Sequence, residues 1–447
     1  MQCGVENAET TESLERVGKK GSLIIDIGMT AGCLLGDYLL SSTILIFLLC
    51  MYLILRILFT SIEKNFALFM LLIPNVGIMI IQLGGLSVPI LNVLISVALL
   101  KLLLTFVHLP LEKTSMFIIG LFIVYEWSHM FIYSVHAIIL LMSWSAAVLY
   151  ASLFLIYSKT VYNHFLVVTY FIAGVCLSTV YGILDFMDRY GSLFNNNATI
   201  RFHGGAGDAN YYSMYILMAM FCILYIVNRE TKKLTKVVLP ILFVCLLAFG
   251  FLSLSRMFLL VGTLLCGMLL IHILFSLKRR KRLFTFMTSV ASLIVLVAIY
   301  FSEKIRSNME LLFSRFTDFI DDPAALTSNR NLLAEQYMEL FTSNPLQMMF
   351  GMGIQDYHIR SGIYLETHNI LLELLVVWGI VGVFVFAIFL LLYFKESRSF
   401  IKKPRTNLIG WLPLLCIGAS FMSINAMSNE SFFLLLLFTI KHLYEFD

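Results

Sequence analysis

Residues 368–394 read HNILLELLVVWGIVGVFVFAIFLLLYF. Beyond the opening His-Asn pair, Glu373 is the only charged residue in the run; the rest are apolar, aromatic or glycine. A helix needs about 20 such residues to cross a bilayer. The run is apolar on every face, so it lacks the in-out alternation of a barrel strand. Similar runs fill the chain. Candidate spans lie at 23–37, 40–59, 66–82, 86–107, 115–132, 136–157, 163–184, 210–228, 237–253, 256–276, 283–301, 368–394, 408–425 and 429–445. The 447 residues are 60% hydrophobic and only 13% charged, about half the charged fraction of a soluble domain. The fold class is an all-α polytopic membrane protein with about 12–14 transmembrane helices.

The net charge of +4 points to no nucleic acid, because the basic residues sort by loop. Lys and Arg collect at 229–233, 278–282 and 395–405, and such clusters stay in the cytoplasm. Alternation from them puts Lys64, Lys113 and Lys159 inside too. It puts 185–209, 253–256 and 302–367 outside. Residues 1–20 are polar, without the early apolar run of a signal peptide, and read as a disordered cytoplasmic tail. Both termini then face the cytoplasm. The span 23–37 carries Asp26 and three glycines. None of the eight cysteines forms a CxxC pair, so they read as small buried hydrophobes, with no disulfide framework and no metal site.

The interval 302–367 is the longest polar stretch in the chain. Within it, NRNLLAEQYMELF (329–341) has apolar residues at helical spacing, and Asn344-Pro345 stops the helix. Helices of this kind lie on the outer membrane surface. Gly351 and Gly353 form a tight turn that returns the chain toward His368.

Four places on the outer side hold residues suited to chemistry. Arg256, in SLSRMFLLVG (253–262), either snorkels to headgroups or offers its fork of donors to a phosphate. Arg330 sits at a helix start, where a cation is locally unfavourable but an anion is welcome; a solvated surface arginine is the other reading. His368 opens an apolar helix next to Asn369 and near Glu366. A helix start favours the neutral imidazole that a general base requires. Asn369 serves as a cap or orients a partner. Arg201 and His203 lie in IRFHGGAGDANYYS (200–213), a second candidate anion loop, with Asp208 or Asn210 as cap of the next helix. His358 and Arg360 are alternates.

In order, DANYYSMYILMA, SLSRMFLLVG, TSNRNLLAEQYMELFTSNPLQMMFGMG and THNILLELLVVWGIVG resemble landmarks of the O-antigen ligase/polymerase superfamily, from about Arg201 to Leu392. The resemblance implies a GT-C-like bundle in the bacterial cytoplasmic membrane, with its active site on the external face. It divides the chain into a tail (1–22), an N-terminal transmembrane bundle (23–184) and a ligase/polymerase-like domain (185–447) with the external loop 302–367. It implies an integral-membrane glycosyltransferase that takes glycan from a polyprenyl-diphosphate carrier and needs no cofactor or metal. By the same resemblance Arg256 and Arg330 bind the diphosphate, Arg201 assists and His368 is the base. Asn369, Glu366 and His203 are supporting residues. Asn329 stands where the family often has glycine. The implied partners are the undecaprenyl-diphosphate-linked glycan, the bilayer, and the flippase and chain-length regulator of a cell-envelope pathway.

The expected activity is polymerisation of O-antigen or capsular polysaccharide. The nearest alternative is ligation of the glycan to lipid A–core or another terminal acceptor. A transporter or flippase of lipid-linked glycans is the rival from another class, but such proteins place charges at mid-membrane. Here the arginines and the histidine are assigned to one face.

Overall fold

A segment that is apolar on every face can satisfy its backbone in lipid only by bonding within itself as a helix. The computed structural model follows that rule. It describes residues 3–40, 43–83, 86–106, 113–157, 162–193, 200–229, 233–275, 280–300, 310, 330–355, 357–363, 365–398, 408–422, 424–425, 429 and 431–444. The helices are α1 Cys3–Leu40, α2 Thr43–Phe59, α3 Ile62–Leu72, α4 Ile90–Phe106, α5 Lys113–Trp127, α6 Val135–Tyr157, α7 His164–Tyr190, α8 Ala209–Arg229, α9 Lys233–Leu252, α10 Arg256–Phe275 and α11 Arg280–Tyr300. Then come α12 Arg330–Ser343, α13 Pro345–Phe350, α14 Tyr357–Arg360, α15 Ile370–Arg398, α16 Leu408–Ser420 and α17 Ser431–Tyr444. Among the described residues, six helices are long and apolar enough to cross a membrane and seven shorter ones are apolar. The fold is all-α and polytopic, as the composition requires.

Two expectations are corrected. The span read at 66–82 is not one helix: α3 ends at Leu72, a 3-10 turn covers Ile73–Asn75, and Ile80–Leu83 (β1) pairs with Leu86–Pro89 (β2). Pro74 lacks the donor a continuing helix needs, and the β-branched residues beyond Gly77 take an antiparallel hairpin with Ile81 opposite Val88. The stretch read as a disordered tail continues α1 back to Cys3. Its Ala, Glu, Leu and Arg residues have high helix propensity. Within the polar interval 302–367, residues 302–309, 311–329, 356 and 364 lie outside the described residues.

The core is aromatic where α5, α6, α15 and α17 meet. Phe122 stacks on Phe389 with centroids 4.6 Å apart and meets Trp378 edge-on at 5.1 Å. Trp144 meets Phe433 edge-on at 5.5 Å. Such geometries suit the ring quadrupoles. One charge inside the bundle is paired: Arg56 Nε donates to Asp26 Oδ1 at 2.7 Å, and the Tyr52 and Tyr170 hydroxyls donate to the same carboxylate. That pairing explains how α1 tolerates Asp26. On the helix that carries Tyr170, His164 Nε2 lies 2.7 Å from His442 Nδ1.

α15 is broken once. Gly379 takes φ 61°, ψ −173°, a conformation closed to other residues. The break exposes carbonyls that an unbroken helix would use. The turn after α13 supplies their donors: Met352 N–H to Val376 O at 3.0 Å and Gly353 N–H to Val377 O at 2.8 Å. Gly351 and Gly353 both have positive φ, so the expected tight turn is present and sits in the kink of α15.

Candidate functional site

The site is assembled around the first turn of α8. Asp208 caps that helix, its Oδ1 accepting from the N–H groups of Asn210 at 2.7 Å and Tyr211 at 3.1 Å. The cap therefore falls to Asp208, and the Asn210 side chain takes another task. Its Oδ1 accepts from Arg201 Nη2 at 2.8 Å and from Ser255 Oγ at 3.1 Å. Arg201 Nε donates to Ser253 O at 3.0 Å, and Phe202 N–H to Leu252 O at 3.3 Å. The loop at 200–209 and the turn at 253–255 are thus stitched together.

Ser255 caps α10, receiving Phe258 N–H at 3.4 Å on Oγ. Arg256 is the first residue of α10 and is half-buried. The starts of α8 and α10 are joined directly by the Ser255–Asn210 bond.

His368 is joined to the same place from the other side. Its N–H donates to Asn425 Oδ1 at 2.8 Å, and the Tyr211 hydroxyl donates to Asn425 O. His368 itself takes φ 48°, one of two non-glycine residues with positive φ among the described residues. Asn369 caps α15, its Oδ1 accepting from Leu371 N–H at 2.9 Å and Leu372 N–H at 3.3 Å. Of its two expected roles, the cap is the one the geometry shows. The next amide, Ile370, bonds back to Phe421 O at 2.9 Å.

Three helix starts, those of α8, α10 and α15, therefore gather around Arg201, Arg256 and His368. Each start brings the positive end of a helix dipole to these loops, its first N–H groups being taken up by the caps Asp208, Ser255 and Asn369. Dipole ends and guanidiniums at one place favour a negative charge there.

Arg330 opens α12, as the sequence reading had it. α12 is tied toward His368 through Tyr337, whose hydroxyl donates to Leu365 O at 2.7 Å. Burial pushes that phenol up to about 12. Thr367 N–H donates to the Tyr357 hydroxyl at 3.1 Å. Burial also holds the half-buried Glu366 carboxyl above the usual glutamate range, with His358 opposing the shift.

The remaining candidates turn elsewhere. His203 Nδ1 donates to Gly204 O at 2.9 Å, within its own loop. Arg360 lies over the Tyr133 ring at 4.9 Å and donates to Met352 O and Gly353 O. It braces the 351–353 turn.

That turn has a further anchor that the sequence reading missed. Glu126, at the end of α5, is 0% exposed. Its Oε1 accepts from Ile354 N–H at 2.7 Å and from the Tyr133 hydroxyl; its Oε2 accepts from Trp378 Nε1 at 2.6 Å. The Tyr125 hydroxyl lies 2.7 Å from Phe350 O and 2.5 Å from Trp378 O, and His129 Nε2 donates to Phe350 O at 3.0 Å. An acidic residue inside an apolar run was the available signal for Glu126. Asn425, between α16 and α17, gave none.

Residues 241–387 match the family model Wzy_C, described as O-antigen ligase. The match takes in Arg256, Arg330, Glu366, His368 and Asn369, and stops short of Arg201, His203, Glu126 and Asn425. It is narrower than the resemblance read from about Arg201 to Leu392. No curated protein matches the chain. The resemblance to the O-antigen ligase/polymerase superfamily is thus shown, and the matched residues 241–387, which contain the start of α10, α12 and the His368 turn, carry it.

Proposed function

We propose that this protein is a polysaccharide polymerase of the O-antigen or capsular type. It moves a growing glycan from an undecaprenyl-diphosphate carrier to the next lipid-linked repeat unit, on the external face of the cytoplasmic membrane. The observation that carries the proposal is the gathering of three helix starts around Arg201, Arg256 and His368. Arg256 and His368 lie within the residues matched by the O-antigen ligase family model.

The chemistry follows from what such a site does well. The leaving group is a lipid diphosphate, and its charge grows as the bond from the anomeric carbon to the phosphate oxygen breaks. Guanidiniums and helix starts aimed at that charge stabilise the transition state more than the ground state. Arg256 and Arg330 take the diphosphate, and Arg201 assists. The incoming sugar hydroxyl attacks the anomeric carbon from the opposite face, and its proton passes to the neutral imidazole of His368. The new glycosidic bond has inverted configuration, and the carrier leaves as its diphosphate. The leaving group needs no proton, so the acid partner of a glycosidase is dispensable.

The test is a reconstitution with the lipid-linked repeat unit of the source organism as the only glycan. The wild type is expected to build a ladder of longer lipid-linked glycans. His368→Ala and Arg256→Ala are each expected to lose at least about 100-fold in rate at equal expression. No ladder, but transfer once the terminal acceptor is added, makes the enzyme a ligase. Movement of the unit across the bilayer without transfer, unimpaired in both variants, would sink the enzyme reading.

A further inference from the structure

His368 keeps a backbone conformation that most side chains avoid. Such a conformation persists only where the surroundings over-determine it. Its neighbours are each fixed: Thr367 by Tyr357, Asn369 by its own cap, and Ile370 by Phe421. The His368 amide is fixed by the side chain of Asn425, which is 3% exposed. The carbonyl of Asn425 in turn accepts the Tyr211 hydroxyl. Tyr211 follows Asn210, the residue that holds Arg201 and the cap of α10. One short connection between α16 and α17, outside the matched segment, thus links the histidine to the arginine cluster.

We infer that Asn425 is a positioning residue for the transfer reaction: it sets His368 relative to the arginine loops, and so the acceptor hydroxyl relative to the departing diphosphate. The inference rests on the proposed roles of His368 and the arginines. Displacement chemistry depends steeply on such spacing, and a shift of about 1 Å can cost about 100-fold in rate. An amide oxygen suits the task because it accepts the His368 N–H without adding a charge beside the imidazole.

The experiment compares wild type, Asn425→Ala, Asn425→Asp and His368→Ala in the chain-elongation assay, with the lipid-linked repeat unit as substrate. Asn425→Ala is expected to lower kcat about 10- to 100-fold, with KM for the repeat unit within about 2-fold. Asn425→Asp keeps an acceptor oxygen at the same position and is expected to restore slow exchange at His368; its added charge raises the pH at which kcat reaches its maximum, where most of kcat returns. Amide hydrogen exchange on the resting protein gives a readout independent of activity. The peptide holding the His368 amide should exchange at least about tenfold faster in Asn425→Ala, while the first turn of α15 keeps its rate. Wild-type kcat in Asn425→Ala, or unchanged exchange at His368, overturns the inference. Equal loss of kcat in the Asp and Ala variants across the pH range overturns it as well. Full activity in His368→Ala instead overturns the role of the histidine, whatever the exchange shows.

Discussion

Two turns, at 350–354 and at 365–369, lie against the same helix and are held in unlike ways. The first fills the break in α15 with its own amides and rests on a buried carboxylate, Glu126, that accepts three hydrogen bonds. The second is held by neutral groups: the hydroxyls of Tyr337 and Tyr357 and the side chain of Asn425. A carboxylate is the stronger acceptor, but it also shifts the proton affinity of any imidazole nearby. The difference assigns the turns separate duties. The first anchors the segment containing α12 and α13 to the helix bundle. The second carries the candidate base.

The comparison breaks most sharply at Glu126. Glu126→Ala leaves Ile354 N–H, Trp378 Nε1–H and the Tyr133 hydroxyl without their common acceptor. Each abandoned buried group costs about 1–3 kcal/mol, so the loss amounts to several kcal/mol. The expected result is a large fall in folded yield and in the temperature at which the detergent-purified protein aggregates. Exchange at 350–354 should rise before exchange at 365–369 does. Simultaneous release of both turns would mean that they are one unit, and the contrast drawn above would fail.

Much of this was legible in the sequence, and the limits have physical causes. Apolar runs fix the helices because lipid permits little else. The glycines of 351–353 announced a turn, and Asn369 announced a cap, since both are local demands on one backbone position. The hairpin at 80–89 escaped because its residues are apolar, and a short apolar run does not tell helix from strand. Asn425 and Tyr211 escaped for a different reason. Their roles exist only through contacts with residues 57 and 214 positions away, which no local pattern encodes.

A smaller effect is expected at Gly353. Its φ is 82°, and a Cβ there would stand 2.1 Å from the Tyr133 hydroxyl oxygen. Gly353→Ala therefore strains the backbone and pushes Tyr133 off Glu126. A cost of about 1–3 kcal/mol is expected, read as a lower unfolding temperature. Removing the hydroxyl with Tyr133→Phe in the same chain should relieve the clash but not the strained backbone, so recovery should be partial. Full recovery would show that the backbone conformation contributes nothing to the anchor.

The smallest effect sharpens the contrast from the other turn. Glu366 lies two residues before His368, and burial raises its carboxyl above the usual range, with His358 pulling it back. A raised carboxyl means that the folded chain holds that proton more tightly than the unfolded chain. Its contribution to stability is then present at low pH and is lost as pH rises from the ordinary glutamate value through the raised one. Glu366→Gln has nothing to titrate there. The unfolding temperature of the variant is expected to stay level through this interval, while that of the wild type declines. Parallel curves would mean that burial does not govern this carboxyl. If they diverge as expected, the second turn carries one titrating acid beside its histidine, while its backbone is held by groups that do not titrate with it.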